Sequence, residues 1–163
     1  MSDVALSIEI RPYQAEDATA LTDIFYAAVH GPARQYYSQA QVNAWASLPP
    51  NYGAWQARFT AHPPFVAVLD GIPVGFMTLE PDGHIDVAYS HPEYQRQGIA
   101  TALYHYLQAQ ALTLHLPMLY VEASYLARPF FAKQGFSLVR ENQVERGGQI
   151  LVNFSMQKRL KHN

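Results

Sequence analysis

The chain contains no cysteine in its 163 residues. That excludes disulfides, thiolate metal ligands and a cysteine nucleophile. Charged residues are sparse at 15% and nearly cancel, leaving a net charge of −2 with the seven histidines neutral. No bulk positive field draws such a chain to nucleic acid or to an anionic membrane. No apolar run is long enough to span a bilayer. Residues 1–13 carry acids early, with no basic segment leading into an apolar run, so no signal peptide is expected. Together these absences predict a soluble, cytoplasmic protein. Hydrophobic residues make up 49% of the chain and aromatics 13%, enough for one well-filled core. A single domain spanning residues 1–163 is expected.

Periodicity predicts the elements. Residues 5–13 alternate and stop near Pro12, as a short strand does. Ala18, Leu21, Ile24, Phe25, Ala28 and Val29 recur at helical spacing. A second helix starts after Ser38, and residues 54–62 form a further turn or short helix. Three strand-length apolar runs follow, punctuated by Asp70-Gly71 and Asp82-Gly83, which are strong hairpin signals. A helix from about Gly98 to Leu114 carries Ile99, Ala102, Leu103, Tyr106 and Leu107 on one face. A strand at 118–124, a short helix ended by Gly135, and two strands joined at Gly147-Gly148 complete the chain. The predicted order is β-α-α-β-β-β-α-β-α-β-β, an α+β domain. The strands before and after the Gly98 helix should be parallel neighbours, because a helix crossover joins them.

The stretch "QRQGIA" (95–100) sits between a strand end and an amphipathic helix. Unpaired N–H groups and the positive dipole end of a helix suit a diphosphate, and Gly98 with the small Ala100 would let the backbone approach it closely. The alternative is a glycine used for tight packing of helix on strand. The pattern Gln95, Gly98, Ala100, its place after the third strand of a meander, and "EASYLARPFFAKQGF" (122–136) one strand later resemble the GNAT superfamily of acyl-CoA-dependent N-acyltransferases. The likeness extends from "IRPYQAEDA" (10–18) to "NFSMQK" (153–158).

That resemblance implies a central mixed, mostly antiparallel sheet flanked by helices, with a parallel pair splayed at the cofactor site. It implies acetyl-CoA as cosubstrate, its pyrophosphate held by the backbone of Gln95, Arg96, Gln97, Gly98, Ile99, Ala100 and Thr101. It also implies pairing of the pantetheine arm with Ala88, Tyr89 and Ser90. Two positions depart from the family's habit. Ser124 stands where an Asn is frequent, and Phe131 stands where a Tyr often protonates the leaving thiolate; Phe131 cannot donate a proton and packs around the cofactor arm or the core.

Transfer to an amine requires the neutral amine, and a lysine-type amine is neutral only about 0.04% of the time at pH 7. A base or water relay is therefore expected within reach. Strict alternation on "HIDVAYS" (84–90) puts His84, Asp86 and Ala88 on one face, with His84 near the place of the family's glutamate base, so Asp86 and His84 are the candidate bases. Tyr125 is the candidate acid nearest the cofactor segment, with Tyr120, Tyr89, Tyr36 and Tyr37 as others. Tyr37, Gln41 and Trp45 are four apart, share a helix face, and are the candidate acceptor-binding residues. The histidines show no metal-ligand spacing, and no metal is expected. The prediction is an N-acetyltransferase that transfers acetyl directly to a primary amine of a small molecule or peptide, with no covalent enzyme intermediate. The alternative is an acyl-CoA sensor or interaction domain without efficient turnover. Exposed strands near the C-terminus are compatible with a homodimer.

Overall fold

The computed structural model describes residues 7–161. Ala5 and Leu6, which open the predicted first strand, lie outside them; β1 runs Ile8–Pro12. Helices α1 (Ala18–His30), α2 (Gln39–Trp45) and α3 (Tyr52–Ala61) follow. The stretch the sequence left between turn and helix is thus a helix, opened by Asn51, whose Oδ1 accepts from the Ala54 N–H at 3.0 Å. Such a cap satisfies one of the orphan donors of the first turn. The meander is β2 (Phe65–Leu69), β3 (Ile72–Leu79) and β4 (His84–Ser90). Helix α4 (Ile99–Thr113) crosses over to β5 (Met118–Ala123), and α5 (Arg128–Lys133) leads to β6 (Ser137–Arg146) and β7 (Gln149–Arg159).

All seven strands form one sheet in the order β1-β2-β3-β4-β5-β7-β6. The pair β4–β5 is parallel, as the α4 crossover requires, and its neighbours are antiparallel. Only His84↔Tyr120 and Ile85↔Val121 pair across β4 and β5. Beyond them the two strands part, and that opening positions the site.

Helices cover both faces of the sheet, except at β6, which is largely exposed. On one, Leu103, Tyr104 and Leu107 of α4 bury against Met77, Ile85 and Leu119. On the other, Leu21 and Phe25 of α1 and Phe59 of α3 bury against Val66, Phe76 and Val87. Side chains of this size contribute about 1.5–3 kcal/mol each when fully buried. The buried stripe of α4 is Ile99, Leu103, Tyr104, Leu107 and Ala111, rotated slightly from the predicted face; Ala102 and Tyr106 are half-buried at its edge.

One expectation fails at β4. Met77 pairs with Ala88, but Leu79 pairs with Ile85, so β4 holds one more residue than β3 over that interval. The extra residue is a bulge, and it changes the phase of the strand. Ile85 and Ala88 face the α4 side, whereas Val87 and Tyr89 face the α1–α3 side. The strict alternation that grouped His84, Asp86 and Ala88 on one face is therefore wrong. Asp86 and Val87, adjacent in sequence, both open onto the same cleft.

Tyr37 is also displaced from its expected place. Ser38 is the N-cap of α2, so Tyr37 precedes the helix and does not share a helical face with Gln41 and Trp45. Its hydroxyl donates to the Val152 carbonyl at 2.6 Å and accepts from the Tyr125 N–H at 3.1 Å. Tyr37→Phe leaves both backbone groups unpaired at a position only 4% exposed. A loss of about 1–3 kcal/mol is expected, read as a thermal midpoint lowered by several degrees; an unchanged midpoint would show that the hydroxyl pins nothing.

Candidate functional site

Two clefts adjoin where β4 and β5 separate. The smaller, of about 200 Å³, is lined by Ala88, Ser90, Gln95, Ala100, Ser124 and Phe131 among others. The larger, of about 950 Å³, runs between β4–β5 and the β6–β7 hairpin. Trp45, Tyr89 and Ser124 line both. One edge of β4 is paired to β3 through Ser90, Tyr89 and Ala88. The other edge, past Ile85, has no strand partner among the described residues. An unpaired strand edge facing a cleft is suited to an extended, amide-bearing chain, which can complete the ladder.

At the mouth of the smaller cleft, residues 95–98 turn into α4. Arg96 (φ 65) and Gly98 (φ 78) are both left-handed, and Gly98 is the N-cap of α4 with no side chain capping the helix. Successive backbone N–H groups in such a turn make an anion-binding hollow. A Cβ built on Gly98 would meet nothing within 4 Å, so this glycine is not there for packing. That role belongs to Gly75, where a Cβ would lie 2.8 Å from Ile99 Cγ2 and 3.1 Å from Leu103 Cδ1. What favours glycine at 98 is the left-handed backbone of the turn, which leaves open space above it. Arg96, Gln97 and Thr101 are exposed around it, while Ile99 is buried beneath, so its side chain serves the core and only its backbone faces the turn.

The predicted residues separate on inspection. Phe131 is 1% exposed among Phe130 and Phe136, forming the floor of the smaller cleft. Ser124 Oγ accepts from the Ala127 N–H at 3.1 Å, opening the turn before α5. Trp45 lies between Tyr37 and Tyr89 at ring distances of 5.4 and 6.5 Å. Gln41 does not line either cleft: its side-chain oxygen accepts from the Ser38 N–H and its amide donates to the Ile150 carbonyl. Ser38 and Gln41 form a capping box, a signature already present in the sequence. Tyr125 also lines neither cleft, being packed on Tyr36, Tyr37 and Phe154.

Residues that sequence reasoning missed complete the larger cleft. Arg58 of α3 stacks over Trp55 at 4.8 Å and donates to Asp86 Oδ2 at 2.8 Å. No partner engages Asp86 Oδ1 among the described residues. Tyr89 sits edge-on to Phe25 at 5.0 Å. Burial pushes its hydroxyl up to about 12, against the opposing effects of a Trp45 hydrogen bond and the Arg58 and Arg146 charges. It stays protonated at any ordinary working pH.

His84 is held from two sides. Nδ1 lies 2.5 Å from Glu80 Oε1 and Nε2 lies 2.9 Å from Glu122 Oε1. Only the imidazolium can donate to both carboxylates. Burial opposes the charged ring, but the bonds and charges of Glu80 and Glu122 outweigh it and raise His84 above its usual 6.5. A ring with both nitrogens so occupied has no free lone pair for general-base work; it clips β4 to β5 just below their opening. Glu80, His84 and Asp86 offer ligand atoms within 4.8 Å of one another, a grouping the linear spacing hid. With His84 held by carboxylates and Asp86 by Arg58, it reads as an ion-pair network. Because the folded-state value is raised, the stabilisation is full below the unfolded value near 6.5 and fades as pH rises through the folded one. The thermal midpoint of the wild type should therefore fall with rising pH relative to His84→Gln, whereas parallel pH profiles would contradict the clip.

Among the described residues, no helix is long and apolar enough to cross a membrane. Residues 33–160 match the acetyltransferase (GNAT) domain family. The chain is 35% identical over 156 residues to YafP of Escherichia coli (strain K12), an uncharacterized N-acetyltransferase, covering 96% of this chain and 99% of that one. It is similar to the crystal structure of a GCN5-related N-acetyltransferase (Aminotransferase, Class-II) from Rhodopseudomonas palustris, with 36% identity, a TM-score of 0.89, and coverage of 98% and 100% of the two chains. The fold is shared more distantly with yncA from Salmonella typhimurium, solved with its cofactor acetyl-CoA, at 18% identity, a TM-score of 0.71, and coverage of 96% and 95%. With the family matched over most of the chain and the relatives aligned end to end, this protein belongs to the GNAT family of acetyltransferases.

Proposed function

We propose that the protein binds acetyl-CoA in the smaller cleft and transfers its acetyl group directly to a primary amine held in the larger one. The observation that carries this reading is the meeting of the two clefts at Trp45, Tyr89 and Ser124. The presence of acetyl-CoA in yncA, which has the same fold, supports the choice of donor. The backbone of residues 95–101 would hold the pyrophosphate, and the free edge of β4 would pair with the pantetheine arm.

In the transfer, the amine nitrogen forms the new C–N bond as the C–S bond breaks. The amine loses a proton and the sulfur gains one. Asp86, with one oxygen fixed by Arg58 and the other free, receives the amine's proton directly or through water. Tyr89 takes the place of Tyr125 as donor to the sulfur, because it lines both clefts whereas Tyr125 lines neither. Ser124, which accepts one hydrogen bond at Oγ from the Ala127 N–H, keeps a hydroxyl proton beside it. The larger share of the acceleration comes from orientation at the junction and from strand N–H groups polarising the thioester carbonyl.

A thiol-release assay with acetyl-CoA over a panel of primary amines tests the reading. Amine-dependent release with formation of the acetylated amine is expected. Tight acetyl-CoA binding without release on any amine would replace it with a sensor function.

A further inference from the structure

The wall of the larger cleft opposite β4 sorts its charges by face. Along β6, Arg140, Asn142, Val144 and Arg146 line the cleft, while the intervening Glu141 and Glu145 do not. Strand alternation puts these acids on the other side. The lining as a whole carries three arginines (58, 140 and 146) against two carboxylates (Asp86 and Glu122), in a chain whose net charge is −2. The arginines are not equivalent. Arg58 is paired with Asp86, and Arg140 donates from Nε to Asn142 Oδ1 at 2.9 Å. The Arg146 guanidinium has no hydrogen-bond or ion-pair partner among the described residues, its backbone alone being paired, with Gln149.

Arg146 is exposed, and the turn that carries it is seated by its neighbours. The turn that follows it rests on α2: a Cβ on Gly147 (φ +55) would come within 3.2 Å of Ala44 Cβ, and Gln41 donates to the Ile150 carbonyl at 2.9 Å. The hairpin tip is thereby seated next to Trp45, and the Arg146 charge is felt at the Tyr89 hydroxyl. A guanidinium with five unused donors, facing a cleft whose carboxylates lie on β4 and β5, is arranged for a ligand with charges of both signs.

We infer that the acceptor amine carries an anionic group, carboxylate or phosphate, which Arg146 binds while the amine lies toward Asp86 and Glu122. This rests on the acetyltransferase reading and narrows its substrate class. The aromatic lining from Trp45, Trp55 and Tyr89 suits an apolar portion beside the charged groups.

The test measures kcat/KM for acetylation of two matched pairs: phenylalanine against phenethylamine, and phosphoethanolamine against ethanolamine. In the wild type at least one pair should favour the anionic member by about 10-fold or more. In Arg146→Gln that ratio should fall to within about 3-fold, and Arg146→Lys should restore part of it, since a point charge still attracts the anion without the bidentate fork. Preference for neither anionic amine, or a preference that survives in Arg146→Gln, would overturn the inference and leave the acetyltransferase reading intact. Failure of all four amines, with other amines acetylated, would also overturn it. Absence of turnover on every amine despite acetyl-CoA binding would overturn the underlying reading itself.

Discussion

Gly98→Val is expected to weaken acetyl-CoA binding by more than 10-fold while the fold persists. Two effects act together. Valine at φ 78 and ψ 16 is a β-branched residue in the left-handed region, a strain of about 1–2 kcal/mol. Its side chain would also extend into the space that is open above the turn, where the phosphates are proposed to sit. The strain alone should lower the thermal midpoint by roughly 2–8 °C, and circular dichroism should remain native. Gly98→Ala separates the contributions, since its single methyl adds strain with less obstruction and should weaken binding less. Calorimetric titration with acetyl-CoA is the measurement. Wild-type affinity in a folded Gly98→Val protein would remove the cradle from residues 95–101.

Tyr89→Phe should lower kcat by about 100-fold, the scale of losing one positioned donor at a reacting group. The ring contacts with Phe25 and Phe76 are kept by phenylalanine, so the fold should persist, at a cost of about 1–3 kcal/mol for the lost Trp45 hydrogen bond. KM for acetyl-CoA should also stay close to the wild-type value, because the arm is proposed to pair with the backbone of this strand. A structural role alone would give the reverse split, with KM affected and kcat preserved. Since burial holds the hydroxyl up to about 12, no descending limb from Tyr89 should appear in the pH–rate profile below about pH 10. An unchanged kcat would return the donor role to water or to Ser124.

Local signals in the sequence were enough to reach the sheet order around the site. Asp-Gly pairs ended the hairpin strands, helical periodicity marked α4, and the crossover rule made β4 and β5 parallel. What lay out of reach depends on pairing between distant segments. The bulge in β4 arises from how residues 85–88 match β3, and nothing within "HIDVAYS" announces it. It is the reason Asp86 and Val87 share a cleft and Ala88 leaves that face. The same limit applies to Arg58, Glu122 and Arg146, which reach the cleft from α3, β5 and a hairpin tip. Gln41 is a different case: its capping box with Ser38 is legible in the sequence, and a four-residue spacing to Trp45 was read in its place. His84 had a suitable intrinsic pKa for a base, but the two carboxylates that occupy it come from the turn after β3 and from β5.

The most direct measurement of the central claim, direct transfer where the two clefts meet, is the initial rate of thiol release with acetyl-CoA and an accepted amine both varied. Intersecting double-reciprocal lines, with no acetyl group found on the protein by intact mass, are the predicted result. Parallel lines with a stable acetyl-enzyme, or a release rate indifferent to the amine, would contradict it.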